Sequence, residues 1–519
     1  MGQDFRKVRA NCSKIPRWSV SSRPTRGRGD GIATAKSGTA ALERGAAIFP
    51  AGIAADTLVP CLLLVAGMES KGRSWKLQGA IGMVLLGSLA SCSASSGGAS
   101  AERASGPSGP SGTSVGTRTG DGTTVPPTAG AGGSGAVVDG STVGQGGFQP
   151  GTLTAGTWDD NLDLNFNFYR SYLNQMDGQQ TPGLPLIPRT GRLAIHVTDA
   201  SGAPLAGARV TVTGAAGKLL EAPTRSDGRL FFFPGVTGAH TGEALQITAT
   251  AGSATGTATA SVGDPIAEVS VAGAAAAPPA ALDLALVIDT TGSMGDEINY
   301  LKVEMENIAQ QVAQDFPGLA QRWAVIVYRD DGDEYVVRSF DFTSSLPTFL
   351  NNLSAQRADG GGDYPESPDK ALAQLTQLSW GQGASTRVAF WVADAPHHLG
   401  REGTMVQDVL LAQRLGIHIY PVSASGTDDL LEYTMRTAAE VTGGRYLFLT
   451  NDSGVGGDHK EPTIPCYVVT ALNKAILRMI DMELTGKDVQ PAAADIVRTS
   501  GKPVDGRCTL GDGQQVSAL

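Results

Sequence analysis

The chain has 519 residues, too many for one ordinary domain, and its 68 glycines with only 17% charged residues indicate that parts of it are not globular. The formal net charge of −10 is uneven, because residues 1–91 hold 13 Lys and Arg and 5 Asp and Glu, which leaves 27 basic and 45 acidic residues beyond them. An acidic body lacks the basic face that sequence-independent binding of nucleic acid needs, so we exclude nucleic acid as a partner.

A candidate export signal covers residues 68–92. Three basic residues precede an apolar stretch at 80–90 that is shorter than the roughly 20 residues of a membrane span. The closing tetrapeptide, Leu-Ala-Ser-Cys, resembles a bacterial lipobox, which implies cleavage before Cys92 and a diacylated thiol that anchors the protein. Residues 1–67 would then be an over-extended reading of the gene; a genuine cytoplasmic extension with a transmembrane anchor is the alternative.

Two segments of different composition follow the signal. Residues 93–150 are dominated by Ser, Gly, Thr and Pro, and they cannot bury enough apolar surface to offset chain entropy. We predict a disordered tether there. Residues 151–189 are richer in aromatic side chains, and we predict a short connecting segment with one helix and no chemistry.

Residues 190–273 alternate apolar and polar side chains in the manner of β-strands. Leu193, Ile195 and Val197 share one face of a predicted strand, and turn residues such as Ser226-Asp227-Gly228 separate the runs. Short strands over about 85 residues predict an Ig-like β-sandwich. The stretch DASGAPLAGARVTV resembles transthyretin-like, carboxypeptidase-regulatory-like modules, which implies a spacer or adhesive element.

From residue 281 onward, apolar runs alternate with amphipathic helices. The runs, typical of strands buried on both faces, are residues 282–289, 323–328, 388–393, 417–422 and 445–449. A last predicted helix carries Val469, Leu472, Ile476 and Ile480 on one face. This alternation predicts a doubly wound, mostly parallel, Rossmann-like α/β sheet over 281–485, with ligands at the carboxyl ends of its strands and a tail at 486–519.

Three loops at the predicted carboxyl ends carry oxygen-bearing side chains. The candidate ligands are Asp289, Thr291, Ser293, Asp363 and Asp394. Carboxylate and hydroxyl oxygens are the ligands that hard cations such as Mg²⁺ prefer. The sequence therefore predicts a divalent-cation site at this edge of the sheet.

The arrangement resembles the von Willebrand factor type A domain and its metal-ion-dependent adhesion site. The family's Asp-x-Ser-x-Ser maps onto Asp289, Thr291 and Ser293, and its later Asp maps onto Asp394. The family's Thr on the middle loop has no direct counterpart. Asp363 stands in its position, with Glu366 as the alternative. The resemblance implies bound Mg²⁺, or another divalent cation such as Mn²⁺ or Ca²⁺, and one coordination position open to a carboxylate of a protein partner.

These observations predict an exported, lipid-anchored bacterial protein, not an enzyme, that presents a metal-dependent adhesion site to a protein ligand at the cell envelope. One alternative is an envelope scaffold in which the metal only rigidifies loops. Another is a metal-dependent hydrolase that uses the adjacent His397 and His398, whose imidazoles suit Zn²⁺.

The remaining candidates are an acidic turn and a pair of cysteines. Residues 330–334 carry four acids that would suit Ca²⁺, but they lack the spacing of an EF-hand, so we prefer a solvated hairpin loop. Cys466 and Cys508 remain once Cys92 and residues 1–67 are set aside. In an oxidising compartment the two predict a disulfide, and two free thiols are the alternative.

Overall fold

A computed structural model describes residues 147–383 and 385–518 of the chain. The predictions for residues 1–146, which concern the extension, the signal ending at Cys92 and most of the tether, lie outside the described residues. In the part of the chain that is described, no helix is both long and apolar enough to cross a membrane.

The segment that we expected only to connect two domains supplies a strand as well as the predicted helix. β1 (Thr154–Trp158) is fully buried inside the largest sheet. Its Gly156 is required there, because a Cβ at this position would lie 2.3 Å from Cζ of the Phe448 ring. α1 (Asp163–Gly178) follows and buries two tyrosines against Tyr433.

Residues 193–271 form two small sheets. Their strands are β2 (Leu193–Asp199), β3 (Arg209–Gly214), β4 (Gly217–Pro223), β5 (Arg229–Phe232), β6 (Ala244–Ala251), β7 (Ala254–Ser261) and β8 (Ile266–Val271), and α2 (Pro234–Thr237) lies between β5 and β6. One sheet has the order β5-β2-β8 and the other β4-β3-β6-β7. The alternating apolar residues of both sheets, including Leu193, Val210 and Ile247, pack into one shared core.

The rest of the chain alternates strands and helices. In chain order these are β9 (Ala281–Asp289), α3 (Ile298–Asp315), β10 (Ala320–Tyr328), β11 (Val337–Thr343), α4 (Leu346–Ser354), α5 (Pro368–Leu375), β12 (Ser385–Ala393), α6 (Glu402–Leu415), β13 (Ile417–Ser423), α7 (Asp429–Thr442), β14 (Tyr446–Leu449), β15 (Tyr467–Ala471), α8 (Leu472–Thr485), β16 (Ile496–Ser500), β17 (Arg507–Thr509) and β18 (Gln515–Ser517). Short 3-10 helices cover Gly292–Gly295, Asn451–Ser453 and Ala493–Asp495.

The large sheet has nine strands in the order β11-β10-β9-β12-β13-β14-β1-β15-β16. Five strands, β9, β10, β12, β13 and β14, are parallel and correspond to the five predicted runs. The other pairings are antiparallel, so the sheet is mixed rather than mostly parallel. Apolar cores cover both of its faces. The last predicted helix begins later than its apolar spacing indicated, because Val469 lies in β15 and α8 starts at Leu472.

The C-terminal residues beyond 485 are attached to this sheet. β16 pairs with β15, and the hairpin of β17 and β18 packs on α1 through hydrogen bonds between Asn165 and Ser517. Cys466 and Cys508 form a disulfide with their Cα atoms 6.2 Å apart. The tail is therefore joined to the α/β body covalently as well as by strand pairing.

The strand register determines which loops meet. Asp289 lies beside Tyr328 of β10, and Ile288 lies beside Val392 of β12. Because these strands are parallel, the residues that follow them leave the same edge of the sheet. This brings the loop after β9 next to Asp394, two residues beyond Val392.

Candidate functional site

The loop after β9 folds around its first carboxylate. Asp289 is fully buried, and its Oδ1 accepts hydrogen bonds from the backbone N of Thr291 at 2.9 Å and from its Oγ1 at 2.7 Å. Oγ1 of Thr291 lies 3.3 Å from Oγ of Ser293. The alternate spacing of these residues therefore places one carboxylate and two hydroxyls on the same side of the loop.

Asp394 completes a chain of hydrogen bonds across the two loops. It follows β12 directly, is buried, and accepts a hydrogen bond from the side chain of Ser293. The four residues Asp289, Thr291, Ser293 and Asp394 are thus connected through hydroxyl groups. The structure brings together the predicted ligands of the first and third loops.

The middle loop contributes Glu366 to the interior and leaves Asp363 at the rim. Glu366 is buried, and its backbone N donates to the carbonyl of Pro396 at 2.8 Å, which ties this loop to the one after β12. Gly361 has φ of 76°, and a Cβ there would lie 3.1 Å from Oε1 of Glu366 and 3.3 Å from Cβ of Thr291. Asp363 is exposed. Asp363, the first prediction for the middle-loop ligand, therefore lies at the rim of the site, and the alternative, Glu366, lies buried inside it.

Asp289, Glu366 and Asp394, here called the buried cluster, repel one another. Burial and the charge of Asp394 raise the pKa of Asp289 to about 7, and burial together with the charges of Asp289 and Asp330 raises the pKa of Glu366 to about 9. Burial also raises the pKa of Asp394. Each carboxylate keeps one buried oxygen, Oδ2 of Asp289, Oδ1 of Asp394 and Oε2 of Glu366, without a hydrogen-bond partner in the described part of the chain.

The surroundings of the buried cluster fit a hard cation held partly by hydroxyls. Ser293, Asp363, Glu366 and Asp394 line an open cavity of about 450 Å³. Within residues 147–383 and 385–518, no three His, Cys, Asp or Glu side chains are placed to hold a metal ion by themselves. A cation would therefore need the hydroxyls of Thr291 and Ser293 in addition to carboxylates, a ligand set that suits Mg²⁺, Ca²⁺ or Mn²⁺ rather than Zn²⁺ or Cu²⁺.

The acidic turn, residues 330–334, joins β10 to β11, and Asp330 and Asp331 pair with basic side chains of other elements. Asp330 pairs with His398 at 2.5 Å, and Asp331 pairs with Lys370 and Arg401. Oδ2 of Asp333 accepts from the backbone N of Asp330 at 3.1 Å and from that of Gly361 at 2.9 Å. The turn is thus a hairpin loop held by ion pairs, and it supports the glycine-rich middle loop.

The two adjacent histidines face different partners. Nε2 of His397 lies 3.0 Å from the carbonyl of Gly183, and the side chain is buried, which lowers its pKa. His398 points to Asp330 instead. The two imidazoles do not converge, so the geometry gives no support to a Zn²⁺ site built from both.

Two buried residues beside the cavity were not predicted from the sequence. Ser425, in the loop after β13, lines the cavity and donates its hydroxyl to Oε1 of Glu297, which is fully buried. Glu297 precedes α3, and burial raises its pKa. The position of Ser425 after a parallel strand was the one signal that pointed to the site.

The fold and the site together define an α/β domain with an aspartate and hydroxyl cluster at the carboxyl ends of its parallel strands. Residues 283–435 match the family model of the von Willebrand factor A domain. The chain therefore contains a von Willebrand factor A domain, and the resemblance to that family seen in the sequence is confirmed for these residues.

Curated relatives match over parts of the same domain. A putative ariadne-like RING finger protein of Acanthamoeba polyphaga mimivirus is 33% identical over 119 residues, which cover 23% of this chain and 11% of that protein. An alpha-protein kinase of Dictyostelium discoideum is 30% identical over 118 residues, 22% of this chain and 19% of that protein. The von Willebrand factor A domain-containing protein 7 of Rattus norvegicus is 39% identical over 93 residues, which cover 18% of this chain and 10% of that protein. The chain spans less than a fifth of each relative.

Two solved structures are similar at low identity. One is the conserved hypothetical protein BatB from Bacteroides thetaiotaomicron, with 15% identity and a TM-score of 0.29, which covers 39% of this chain and 98% of that one. The other is an aerotolerance-related membrane protein from Bacteroides fragilis, with 13% identity and a TM-score of 0.27. The match covers 40% of this chain and 100% of that one.

Proposed function

We propose that this protein binds a protein partner through a divalent cation held at the carboxyl ends of β9 and β12. The observation that carries the proposal is the buried cluster, in which each of three carboxylates has an oxygen without a partner in the described residues. Burying like charges without compensation is costly, and a cation among them offsets that cost. The open cavity above the cluster gives a partner access.

The ligands of the cation would be Asp289, Thr291, Ser293 and Asp394, and Glu366 would lie close to the ion on the middle loop. Mg²⁺ is the first candidate, and Mn²⁺ or Ca²⁺ would use the same oxygens. The bound cation supplies an electrophilic position for a carboxylate of the partner. The negative charge of Glu366 near the ion would hold it more tightly and make it a weaker acceptor for that carboxylate.

The rim of the cavity offers additional contacts to a partner. Asp363 is exposed there, and Tyr364 is 44% exposed with its hydroxyl donating to the carbonyl of Gly426 at 2.8 Å. An aromatic ring fixed at its polar end is a good contact for a protein surface. We propose that the partner's acidic residue reaches the cation while neighbouring residues pack on Tyr364.

We also propose a location and an arrangement for the whole chain. Lipidation of Cys92 would anchor the protein at a bacterial membrane, and residues 93–150 would act as the tether. The two small sheets, which share one apolar core, would form an Ig-like β-sandwich module that follows β1 and α1 in the chain and precedes β9. The Cys466–Cys508 disulfide suits an oxidising compartment outside the cytoplasm.

Calorimetric titration of Mg²⁺ into the full chain tests the cation. We expect one Mg²⁺ per chain, and we expect Asp289→Asn to weaken binding by at least about a hundredfold, because it removes a charged ligand worth about 3 kcal/mol. Glu306→Gln, which removes an exposed acid on α3, is the matched control and should bind as the wild type does. Equal Mg²⁺ affinity in Asp289→Asn and the wild type would remove the assignment.

Capture of a partner from envelope extract, with Mg²⁺ or with EDTA, tests the adhesion. We expect a protein that is captured by the wild type in Mg²⁺ and lost in EDTA and in Asp289→Asn. If Mg²⁺ binds but capture is the same in EDTA, the cation only stabilises the loops and the envelope scaffold is the better account. The hydrolase alternative has no observation in its favour, since His397 and His398 face different partners.

A further inference from the structure

We propose a second binding site, for a small organic anion, in a cleft between the small sheets and the α/β body. The cleft has a volume of about 1040 Å³, at the upper end of the range for small-molecule sites. It is lined by the first residues of β12, while the candidate cation site follows the last residue of that strand. The two sites therefore lie at opposite ends of β12, and this proposal does not depend on the first.

The charge of the lining is the first argument. Among the described residues that line the cleft, the charged side chains are Arg209, Arg387 and Arg414, and none is Asp or Glu. Residues 92–519 carry 45 acidic and only 27 basic residues, so a surface free of acids is unexpected. A positive recess in an acidic protein attracts anions and concentrates them.

Two of the three arginines lack an acidic partner. Arg209 forms an exposed ion pair with Glu221 at 2.8 Å, so its charge is compensated at the edge of the cleft. Neither Arg387 nor Arg414 has a carboxylate within ion-pair distance among the described residues, although the charge of Asp283, which pairs with Arg322, also acts on Arg387. Arg414 is exposed in the last turn of α6. An anion in the cleft would compensate both charges.

Two polar groups of the cleft wall also lack partners. The terminal nitrogens of Arg387 donate to the carbonyls of Leu415 and Gly381, but its Nε is buried with no acceptor in the described part of the chain. The hydroxyl of Ser385 is buried without a partner there too. Both atoms lie behind the surface of the wall, so Arg387 would act on an anion in the cleft through its charge rather than through a hydrogen bond from Nε.

The rest of the lining favours an organic molecule over a simple ion. Apolar side chains such as Leu378, Trp380 and Leu415 contribute to the walls. Direct bonds between the two bodies fix the shape of the cleft: Gln413 donates to the carbonyl of Phe231 at 2.9 Å, and Ser226 donates to that of Met482 at 3.2 Å. A pre-formed recess with both apolar and cationic walls suits a small molecule, about the size of one ring, that carries a carboxylate or phosphate group.

Fluorescence titration of the full chain with 8-anilinonaphthalene-1-sulfonate, an anionic apolar probe, tests the site. We expect saturable binding in the wild type and a dissociation constant about tenfold higher in Arg414→Gln and in Arg387→Gln, because each variant removes one positive charge from the wall. Arg387 also holds two carbonyls, so Arg414→Gln, at an exposed position, is the variant on which the result depends. Arg338→Gln, on β11, is the matched control and should bind as the wild type does.

Competition against the bound probe identifies the anionic group. Glucuronate, glucose 6-phosphate and glucose share a ring and differ in charge. Displacement by glucuronate alone indicates a carboxylate, displacement by glucose 6-phosphate alone indicates a phosphate, and either result supports the site if neutral glucose fails. Equal displacement by glucose, an unchanged dissociation constant in Arg414→Gln, or no saturable probe binding in the wild type would overturn the proposal.

Discussion

Two groups of acids lie at the same edge of the large sheet, and they compensate their charge in different ways. The acidic turn pairs with His398, Lys370 and Arg401. The buried cluster has hydrogen bonds from hydroxyl groups but keeps three oxygens without partners in the described residues. The turn has more carboxylates than the cluster, yet it is the cluster whose charge is left uncompensated.

The difference teaches that the number of acids does not identify a cation site. A partly exposed acid with a basic neighbour is already satisfied and gains little from a metal. A buried acid without one must take up a proton or a cation. The direction of the pKa shift expresses this contrast. Pairing with Lys370 and Arg401 lowers the pKa of Asp331, whereas burial and the charge of Asp394 raise the pKa of Asp289.

The largest expected effect is on the stability of the metal-free protein. The pKa of Asp289 rises from an ordinary 3.8 to about 7 on folding, so the folded state holds a proton that the unfolded state releases. This contribution is fully present below pH 4 and is lost as the pH rises through 7, on the order of 4 kcal/mol in all. Urea unfolding in EDTA from pH 4 to 8 should show the decline.

Two comparisons isolate the role of Asp289 in that decline. Asp289→Asn should reduce the slope of the pH dependence in EDTA, and saturating Mg²⁺ should reduce it in the wild type, because the cation favours the ionised carboxylate. Glu366 and Asp394 titrate in the same direction, so a substantial slope remains in Asp289→Asn. If Asp289→Asn and the wild type lose stability equally in EDTA, the charge of Asp289 is already compensated, and the contrast between the buried cluster and the acidic turn fails.

The second-largest effect is expected when a buried acid loses the cation that pairs with it, as the acids of the buried cluster lack one. Arg401 donates to Oδ1 of the buried Asp369 at 3.1 Å and pairs with Asp331. Arg401→Gln leaves Asp369 without its cation, and we expect a loss of about 2 kcal/mol in the free energy of unfolding. Adding Asp369→Asn should recover more than half of that loss. A double variant no more stable than Arg401→Gln would show that packing, not charge, sets the cost.

The third effect distinguishes the two acids of the middle loop. At pH 8, Glu366→Gln should weaken Mg²⁺ binding by about tenfold, because it removes a buried carboxyl group that a bound cation would ionise, and Asp363→Asn by less than about threefold, because Asp363 is exposed at the rim. Calorimetry on both variants gives the ratio. If Asp363→Asn weakened Mg²⁺ binding more than Glu366→Gln does, Asp363 would be the middle-loop residue that supports the cation, as the sequence first indicated.

Much of the architecture around the site was predictable because it is encoded locally. Five apolar runs predicted the parallel strands, and the polar residues directly after β9 and β12 had to meet once those strands were neighbours. β1 was missed because its sequence, TAGTW, has no apolar run or clean alternation. Its place between β14 and β15 depends on contacts with residues about 300 positions away, among them the close approach of Gly156 to Phe448.

The division of the acids into paired and unpaired ones could not be read from the sequence. Asp331 is paired with Lys370 and Arg401, which lie 39 and 70 positions away. Asp363 and Glu366 are three residues apart on a flexible glycine-rich stretch, and only the link between Glu366 and Pro396 turns one of them inward. Spacing along the chain predicted which loops carry the site, while tertiary contacts decide which side chains complete it.

The smallest expected effect belongs to the acidic turn itself. Asp331→Asn breaks ion pairs with Lys370 and Arg401 at a side chain that is 40% exposed, so we expect a change of less than about 1 kcal/mol in the free energy of unfolding and an unchanged Mg²⁺ affinity. Urea unfolding and calorimetry measure the two quantities on one preparation. If Asp331→Asn weakened Mg²⁺ as much as Glu366→Gln does, the acidic turn would belong to the cation site, and pairing with Lys and Arg would no longer separate the two groups of acids.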